Sequence, residues 1–321
     1  MEAPRPAREA PAEQLLELVH LVQRELLLRE EAPAGSWVEA TAIDLRRGEK
    51  VGWYYPTDTG GGLAFRSDRG STSYAHVHVE SSPDALARAV ALSETLLDAL
   101  PPSVMSVSVG FTGLLADQED ALLTRLASRT GSTVIRRFAM ERALTSRDGE
   151  GLVPAPDALA LVPIRDITLD ALAELDRRAF QGTMDELLIG PDISEYRRML
   201  SALISGELGR FLDEASTALY RPEPPTLVGA ILTCEKSARR AVFLDFMVDP
   251  TLRGRGYGAY LLRWGLRALW ALGYERARLW VSATNHTARR LYDSVGFAVT
   301  HTAAIYRWDR VPRDAQAHSD R

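Results

Sequence analysis

The stretch Arg253-Gly254-Arg255-Gly256-Tyr257-Gly258 constrains this chain more than any other. It joins a strand-like run, Ala241 to Val248, to a helical run, Ala259 to Leu272. Glycines at a strand-to-helix junction let the backbone come close to a ligand and aim amide N–H groups at it. The helix beyond them adds the positive end of its dipole. A phosphate or pyrophosphate is the natural ligand of such a junction, and Arg253 and Arg255 suit the same anion. A phosphate-binding P-loop needs a Gly-Lys pair, which the chain lacks. A dinucleotide fingerprint is formally met by Gly254, Gly256 and Ala259, but its context is wrong. Asp249 to Arg253 separate the strand from the first glycine, and the acidic residue expected downstream, Glu275, precedes the next strand instead of ending it. A plain glycine-rich surface turn remains the bland reading.

The residues after the loop narrow the choice. Ala277, Leu279 and Val281 alternate with Arg278 and Trp280 as a short strand. Next comes Asn285-His286-Thr287-Ala288-Arg289-Arg290-Leu291-Tyr292, closed by Gly296 before Phe297. The pattern R-x-x-G-x-G, met by Arg253, Gly256 and Gly258, resembles the acyl-CoA pyrophosphate loop of the GNAT acetyltransferase superfamily. The pattern N-x-x-A-x-x-L-Y-x-x-x-G-F at this distance resembles that superfamily's second motif. The resemblance is sharpest over Ser216 to Trp308 and extends back to about Leu161.

At 321 residues the chain has room for two ordinary domains. It is 46% hydrophobic and 25% charged, as soluble globular proteins are. A net charge of −5 argues against broad nucleic-acid binding. One cysteine, Cys234, leaves no internal disulfide and suits a reducing compartment; it reads as a small buried strand residue. There is no apolar run of membrane-spanning length and no apolar signal core in Met1 to Pro11. The expectation is a cytoplasmic protein without metal, monomeric or homodimeric.

Along the chain, residues 1–11 and 311–321 read as disordered ends. Glu13 to Glu31 reads as an amphipathic packing helix, and Ser36 to Leu45 with Val51 to Tyr55 as a hairpin around Arg46-Arg47-Gly48. Gly60-Gly61-Gly62 reads as a flexible turn. A repeat then appears. Ser73 to Glu80 is a strand, Pro83 to Leu100 a helix, Val104 to Phe111 a strand and Asp117 to Arg129 a helix. Gly131 and strand residues up to Leu144 come next. The same order returns from Ala241 to Trp308. The first copy has Ser81-Ser82-Pro83-Asp84-Ala85 where the second has its glycine loop, and Asp84 would repel a pyrophosphate. His76 and His78 share one face of a strand, a spacing that could bind metal but has no third ligand cluster beside it, so they read as ordinary strand histidines. Thr145 to Asp157 reads as a linker. In the second module, Thr168 to Phe180 and Ser194 to Ser205 read as helices, Ser194 as a cap, and Gln181 to Asp192 as a loop.

The expected fold is α/β (α+β): two tandem GNAT-like mixed β-sheet modules flanked by helices, the N-terminal one degenerate. The expected spans are 12–147, a 148–157 linker and a catalytic 158–310. This plan is similar to that of tandem acetyltransferases of the mycothiol synthase type, a likeness of architecture that does not fix the substrate.

The resemblance implies an acetyl-CoA-dependent N-acetyltransferase, with acetyl-CoA as co-substrate. Carried over by position, Phe246, Met247 and Val248 would bond the pantetheine arm through backbone groups. Gly254, Arg255, Gly256, Tyr257, Gly258 and Ala259, with Arg253, would hold the pyrophosphate, and Asn285 would touch the pantetheine or adjoining backbone. Tyr292 would protonate the departing thiolate: a thiol near ~8.5 leaves readily, and a phenol near ~10 is protonated at neutral pH. Tyr292 could instead be an aromatic that fills the core. Asp245 is the candidate base for the incoming amine, or else an acid that orders loops or water. The position before it, where the family often has Glu, is Leu244. Asp185 and Glu186 in the 181–192 loop would attract a protonated amine, unless they are solvated loop charges. A small-molecule amine is the expected acceptor, with a protein N-terminus or lysine second. A non-catalytic acyl-CoA sensor is the rival from another class, and a nucleotide-binding oxidoreductase is disfavoured by the gap before the glycines.

Overall fold

The structure, a computed structural model, describes residues 2–28, 37–151, 159–190, 192–237 and 239–310. The chain divides into two compact units, Met1–Ile135 with Ala304–Arg321, and Arg136–Ala303.

In the second unit a mixed sheet starts with residues 137–143 of the Ser132–Ala143 strand. It continues through Arg276–Ser282, Arg240–Val248, Thr226–Ser237, Thr217–Arg221 and Ala160–Pro163. Arg240–Val248 and Arg276–Ser282 are parallel; the other neighbours are antiparallel. Both sheet faces are covered. Helices Leu169–Phe180 and Ile193–Ile204 bury Leu172, Leu175, Tyr196 and Leu200 against Ala230, Leu232 and Met247. Helix Tyr257–Ala271 buries Leu261, Leu262, Leu266 and Leu269 against Val228, Ile231 and Phe243 on the other face. Each such leucine removed from water contributes ~1.5–3 kcal/mol.

The first unit repeats the plan. Its sheet runs Arg5–Pro6, Val51–Tyr55, Gly62–Arg69, Thr72–Val79, Ser106–Thr112 and then residues 305–309 of the Ala298–Asp309 strand. Helices Ala12–Leu28 and Trp37–Arg47 cover one face, through Leu15, Leu18, Val22, Val38 and Leu45. Helices Ala85–Asp98 and Ala116–Leu126 cover the other, through Leu92, Leu96, Leu122 and Leu126. The first unit thus repeats the element order of the second, as the repeat predicts.

Four readings need correction. Residues 2–11 are not a disordered end: Arg5–Pro6 pairs with Val51–Tyr55, and Ala7 and Ala10 are buried. Residues 37–47 form a helix, not a hairpin arm. Val38, Ala42 and Leu45 recur at helical spacing and are all buried, and Gly48 at φ 76° ends the helix as a left-handed C-terminal glycine. The strand Gly62–Arg69 was hidden behind the glycine run. It is the antiparallel partner of both Val51–Tyr55 and Thr72–Val79, with Leu63 and Phe65 packed on one face and Ala64 on the other. The modules also exchange their last strands. Ser132–Ala143 closes the first repeat, yet its residues 137–143 pair with Arg276–Ser282. Ala298–Asp309 closes the second, yet its residues 305–309 pair with Ser106–Thr112. The units therefore part at 135/136 and 303/304 and not along the 148–157 stretch, of which 152–157 lie outside the described residues. The expected disordered tail, 311–321, also lies outside them. His76 Nε2 and His78 Nδ1 both meet the Thr112 hydroxyl, at 2.8 and 2.9 Å. Among the described residues no cluster of three metal-ligating side chains occurs, and no helix is long and apolar enough to cross a membrane.

Gly265 lies inside helix Tyr257–Ala271, where alanine is normally preferred by ~1 kcal/mol. A Cβ there would meet Ile231 Cδ1 and Phe243 Cε1, each at 2.9 Å. Gly265→Ala should therefore destabilise the protein, by ~1–3 kcal/mol in urea unfolding. A stabilised variant would contradict this packing.

Candidate active site

The site begins where two parallel strands part. Arg240–Val248 pairs with Arg276–Ser282 only from Arg240↔Arg276 to Phe243↔Leu279. A register shift on the other edge, between Phe243 and Asp245, leaves Leu244 bulged and exposed. One extra residue reverses the alternation of a strand. Ala241 and Phe243 face the helix Tyr257–Ala271 before the bulge, and Phe246 and Val248 do so after it. Asp245 and Met247 are thereby turned toward the helices Leu169–Phe180 and Ile193–Ile204. Beyond the bulge Phe246, Met247 and Val248 pair only with Ile231, Ala230 and Gly229 of the antiparallel neighbour. Their other edge borders the gap.

At the mouth of the gap the chain turns through Pro250–Leu252. The Asp249 carboxylate holds this turn, accepting from the Thr251 N–H at 3.0 Å, its hydroxyl at 2.6 Å and Arg178 at 3.1 Å. Burial opposes that charge, yet these bonds keep the carboxyl below its usual range. Gly254 and Gly256 come next at φ 77° and 83°, left-handed conformations that L side chains rarely adopt. A Cβ on either would meet nothing within 4 Å, so the backbone lies open to a ligand. Helix Tyr257–Ala271 starts here, and its first amides lack intrahelical partners. Arg255 is exposed. Arg253 donates to the Ala179 carbonyl at 2.6 Å, so at least one of its nitrogens braces the loop. Tyr257 is buried, and Gly258 packs closely on Leu291.

Asp245 is buried beside a residue that the sequence reading missed, Asp176 of Leu169–Phe180. Burial pushes the Asp245 carboxyl up to about 7. Hydrogen bonds from Asp176 and the Phe246 N–H act against that rise, and the charge of Asp185 adds to it. The Asp176 carboxyl is likewise held well above its usual range, by burial and then by Asp245. Its signal was present: Leu172, Asp176 and Ala179 occupy one helical stripe, and an acid among buried apolar positions stands out. Tyr196, equally buried, completes this side.

Tyr292 projects from helix His286–Ser294 into the same unit's core, its ring 6.1 Å from those of Phe246 and Phe297. Burial, then the charges of Asp185 and Asp245, raise its hydroxyl pKa against the opposing pull of Arg137, so the phenol holds its proton. Asn285 caps that helix, its Oδ1 accepting from the Ala288 N–H at 3.1 Å, which leaves its amide NH2 to reach a ligand. Asp185 is buried rather than solvated. It accepts from the Ser282 hydroxyl at 2.7 Å and lies 3.5 Å from Arg137. Glu186 accepts from the Gly182 N–H at 2.7 Å and so orders the loop. Residues 186–189 of that loop form a short helix, and the next helix is entered from Asp192, not Ser194. Cys234 is fully buried, and burial raises its thiol to about 11, which leaves it unreactive.

Residues 170–297 match the family model described as Acetyltransferase (GNAT) family. A mycothiol acetyltransferase of Mycobacteroides abscessus is 46% identical over 59 residues, 18% of this chain and 20% of its own. One from Propionibacterium freudenreichii subsp. shermanii is 26% identical over 198 residues, 61% of this chain and 59% of its own. The matched stretches thus span three fifths or less of these relatives' length. Among solved structures, a GCN5-related N-acetyltransferase from Sphaerobacter thermophilus superposes with a TM-score of 0.57 at 18% identity, covering 96% of each chain. A tandem GNAT protein from the clavulanic acid biosynthesis pathway does so at 0.56 and 14%, covering 97% of this chain and 99% of that one. At such identities the likeness is one of fold.

The raised Asp245 carboxyl makes stability depend on pH. An aspartate in the unfolded chain titrates near ~3.9. The folded protein therefore binds the extra proton more tightly. The associated stability is fully present below about pH 4 and is lost as pH rises through about 7. Asp245→Asn, neutral at every pH, should escape that loss. Its melting temperature relative to the parent should climb between pH 4 and 7 and then level off. Parallel melting curves across this range would contradict the buried carboxyl.

Proposed function

We propose that the protein transfers an acetyl group from acetyl-CoA to a primary amine, a reading supported by the match of residues 170–297 to the GNAT acetyltransferase family model and by the likeness of fold to a tandem GNAT protein. The observation that carries this reading is the parting of the two parallel strands beside an open glycine loop, with Tyr292 buried at the gap. The gap leaves an extended pantetheine arm the strand edge from Phe246 to Val248 that no parallel neighbour pairs. Gly254 to Ala259 offer amides to its pyrophosphate, and Arg255 a nearby cation. Acetyl-CoA supplies the activated acetyl thioester.

The chain's own groups account for the proton movements. The amine nitrogen attacks the acetyl carbonyl carbon, forming a C–N bond as the C–S bond breaks. The amine proton goes to Asp245, directly or through water. The sulfur leaves as thiolate and takes a proton from the Tyr292 hydroxyl, which its buried setting keeps protonated. Both reactants lie in one ternary complex, so no acyl-enzyme is required. Asp185, held by Ser282 and Arg137, places negative charge close to Tyr292 and Asp245, where a protonated amine would approach. A small-molecule amine fits this enclosed acid better than a protein lysine. The relatives' name, mycothiol acetyltransferase, supports putting amines related to mycothiol first in an acceptor screen.

Two variants test the roles. Tyr292→Phe should lower kcat by ~10²–10⁴-fold while leaving acetyl-CoA affinity within about twofold, read from acetyl-CoA consumption with an acceptor found in the screen. Equal activity in the two forms would remove Tyr292 as the acid. Asp185→Asn should raise the KM for the amine and spare that for acetyl-CoA; an unchanged amine KM would overturn the charge argument.

A further inference from the structure

Asp176 is the one buried acid at the site that the acetyl-transfer chemistry leaves without a task. It is fully buried on helix Leu169–Phe180, and no N–H or hydroxyl donor reaches either of its oxygens. Asp245 Oδ2 and the Tyr196 hydroxyl, both buried, are likewise without donors or acceptors. The group within hydrogen-bonding reach of Asp176 is the Asp245 carboxyl itself. Two ionised carboxylates have only acceptors to offer each other, so their approach without water or a cation needs a proton between them.

The surroundings supply no substitute for that proton. Tyr196 faces the pair from Ile193–Ile204 with Glu186 near its hydroxyl, and Asp185 acts on Asp245 from the loop before that helix; Tyr292 lies on His286–Ser294. The nearby cations are Arg177, which acts on Tyr196, and Arg137, which acts on Tyr292 and Asp185. Among the described residues no ion pair joins a cation to Asp176 or Asp245. An unneutralised pair of charges would cost far more than sharing one proton does.

We propose that Asp176 is a positioning residue that keeps its proton at neutral pH and donates it, as a hydrogen bond, to the Asp245 carboxylate, fixing that carboxylate's orientation and keeping it ionised enough to take the amine proton. Asp176 transfers no proton to substrate. It lets a buried aspartate serve as a base without a cation, which would repel the protonated amine. The role in turnover rests on the acetyl-transfer reading; the shared proton does not.

Two experiments on the full chain separate these levels. Carbon NMR of protein labelled at the aspartate carboxyls should show one carboxyl still protonated at pH 8, and that signal should vanish in Asp176→Asn. A spectrum with every aspartate ionised at pH 8 would overturn the proposal. The second experiment tracks thiol release from acetyl-CoA, with water as acceptor, across pH. Asn at 176 keeps a neutral donor to Asp245, so Asp176→Asn should hold the midpoint of the rising limb within about 0.3 unit. Asp176→Leu removes the donor and should move it up by about 1–2 units, since a hydrogen bond to a charged group contributes ~1.5–3 kcal/mol. An unmoved midpoint in Asp176→Leu, or a lower one in Asp176→Asn, would contradict the shared proton. If Asp176→Leu fails to fold, the NMR result decides alone. If the parent binds no acetyl-CoA while the protonated signal is present, the acetyl-transfer reading fails and the buried pair stands.

Discussion

The bulge at Leu244 is the constraint on which the site depends. One residue too many in a strand breaks its parallel pairing after Phe243 and reverses which side chains face which helices. The gap, the strand edge at Phe246 to Val248 that lacks a parallel partner and the burial of Asp245 beside Asp176 are three consequences of that single insertion. The exposed Leu244 is its cost, an apolar side chain turned to water, which a site that must admit an extended ligand can bear.

The first unit shows what the same plan does without the bulge. Thr72–Val79 and Ser106–Thr112 pair in parallel from Thr72↔Ser106 to His78↔Thr112, with no register shift. No gap opens, and the turn after it, Ser81 to Asp84, has no glycine and carries an acid. The residues there that might have suggested chemistry, His76 and His78, meet Thr112 across the intact pairing. Sheet continuity and the lost glycine loop agree: this half keeps the fold and lacks the geometry of the other.

Much of this was legible in the sequence because motif residues carry their own geometry. Gly254 and Gly256 are glycines because their φ is positive, and Asn285 opens its helix by bonding Ala288, so the motif pattern marked a tight turn and a helix start where the structure has them. Glu186 and Asp185 were placed in the right loop, but their partners were not visible. Whether an acid is solvated or tied to Ser282 depends on residues nearly 100 positions away. The Trp37–Arg47 helix was missed because Arg46-Arg47-Gly48 ends a helix as readily as it turns a hairpin. The strand exchange was out of reach, since pairing register is settled by partner strands and not by local pattern. Asp176 lay between: its apolar stripe was readable, its partnership with Asp245 was not.

The central proposal is that one half of this chain holds acetyl-CoA and the other does not. Calorimetric titration of the full chain with acetyl-CoA tests it most directly, because stoichiometry counts working sites without any knowledge of the acceptor. One molecule bound per chain, with binding lost in Gly256→Glu, is the predicted result: the glutamate would force a side chain into a left-handed position and set a negative charge against the pyrophosphate. Two molecules per chain, or binding that survives Gly256→Glu, would contradict the assignment of the site.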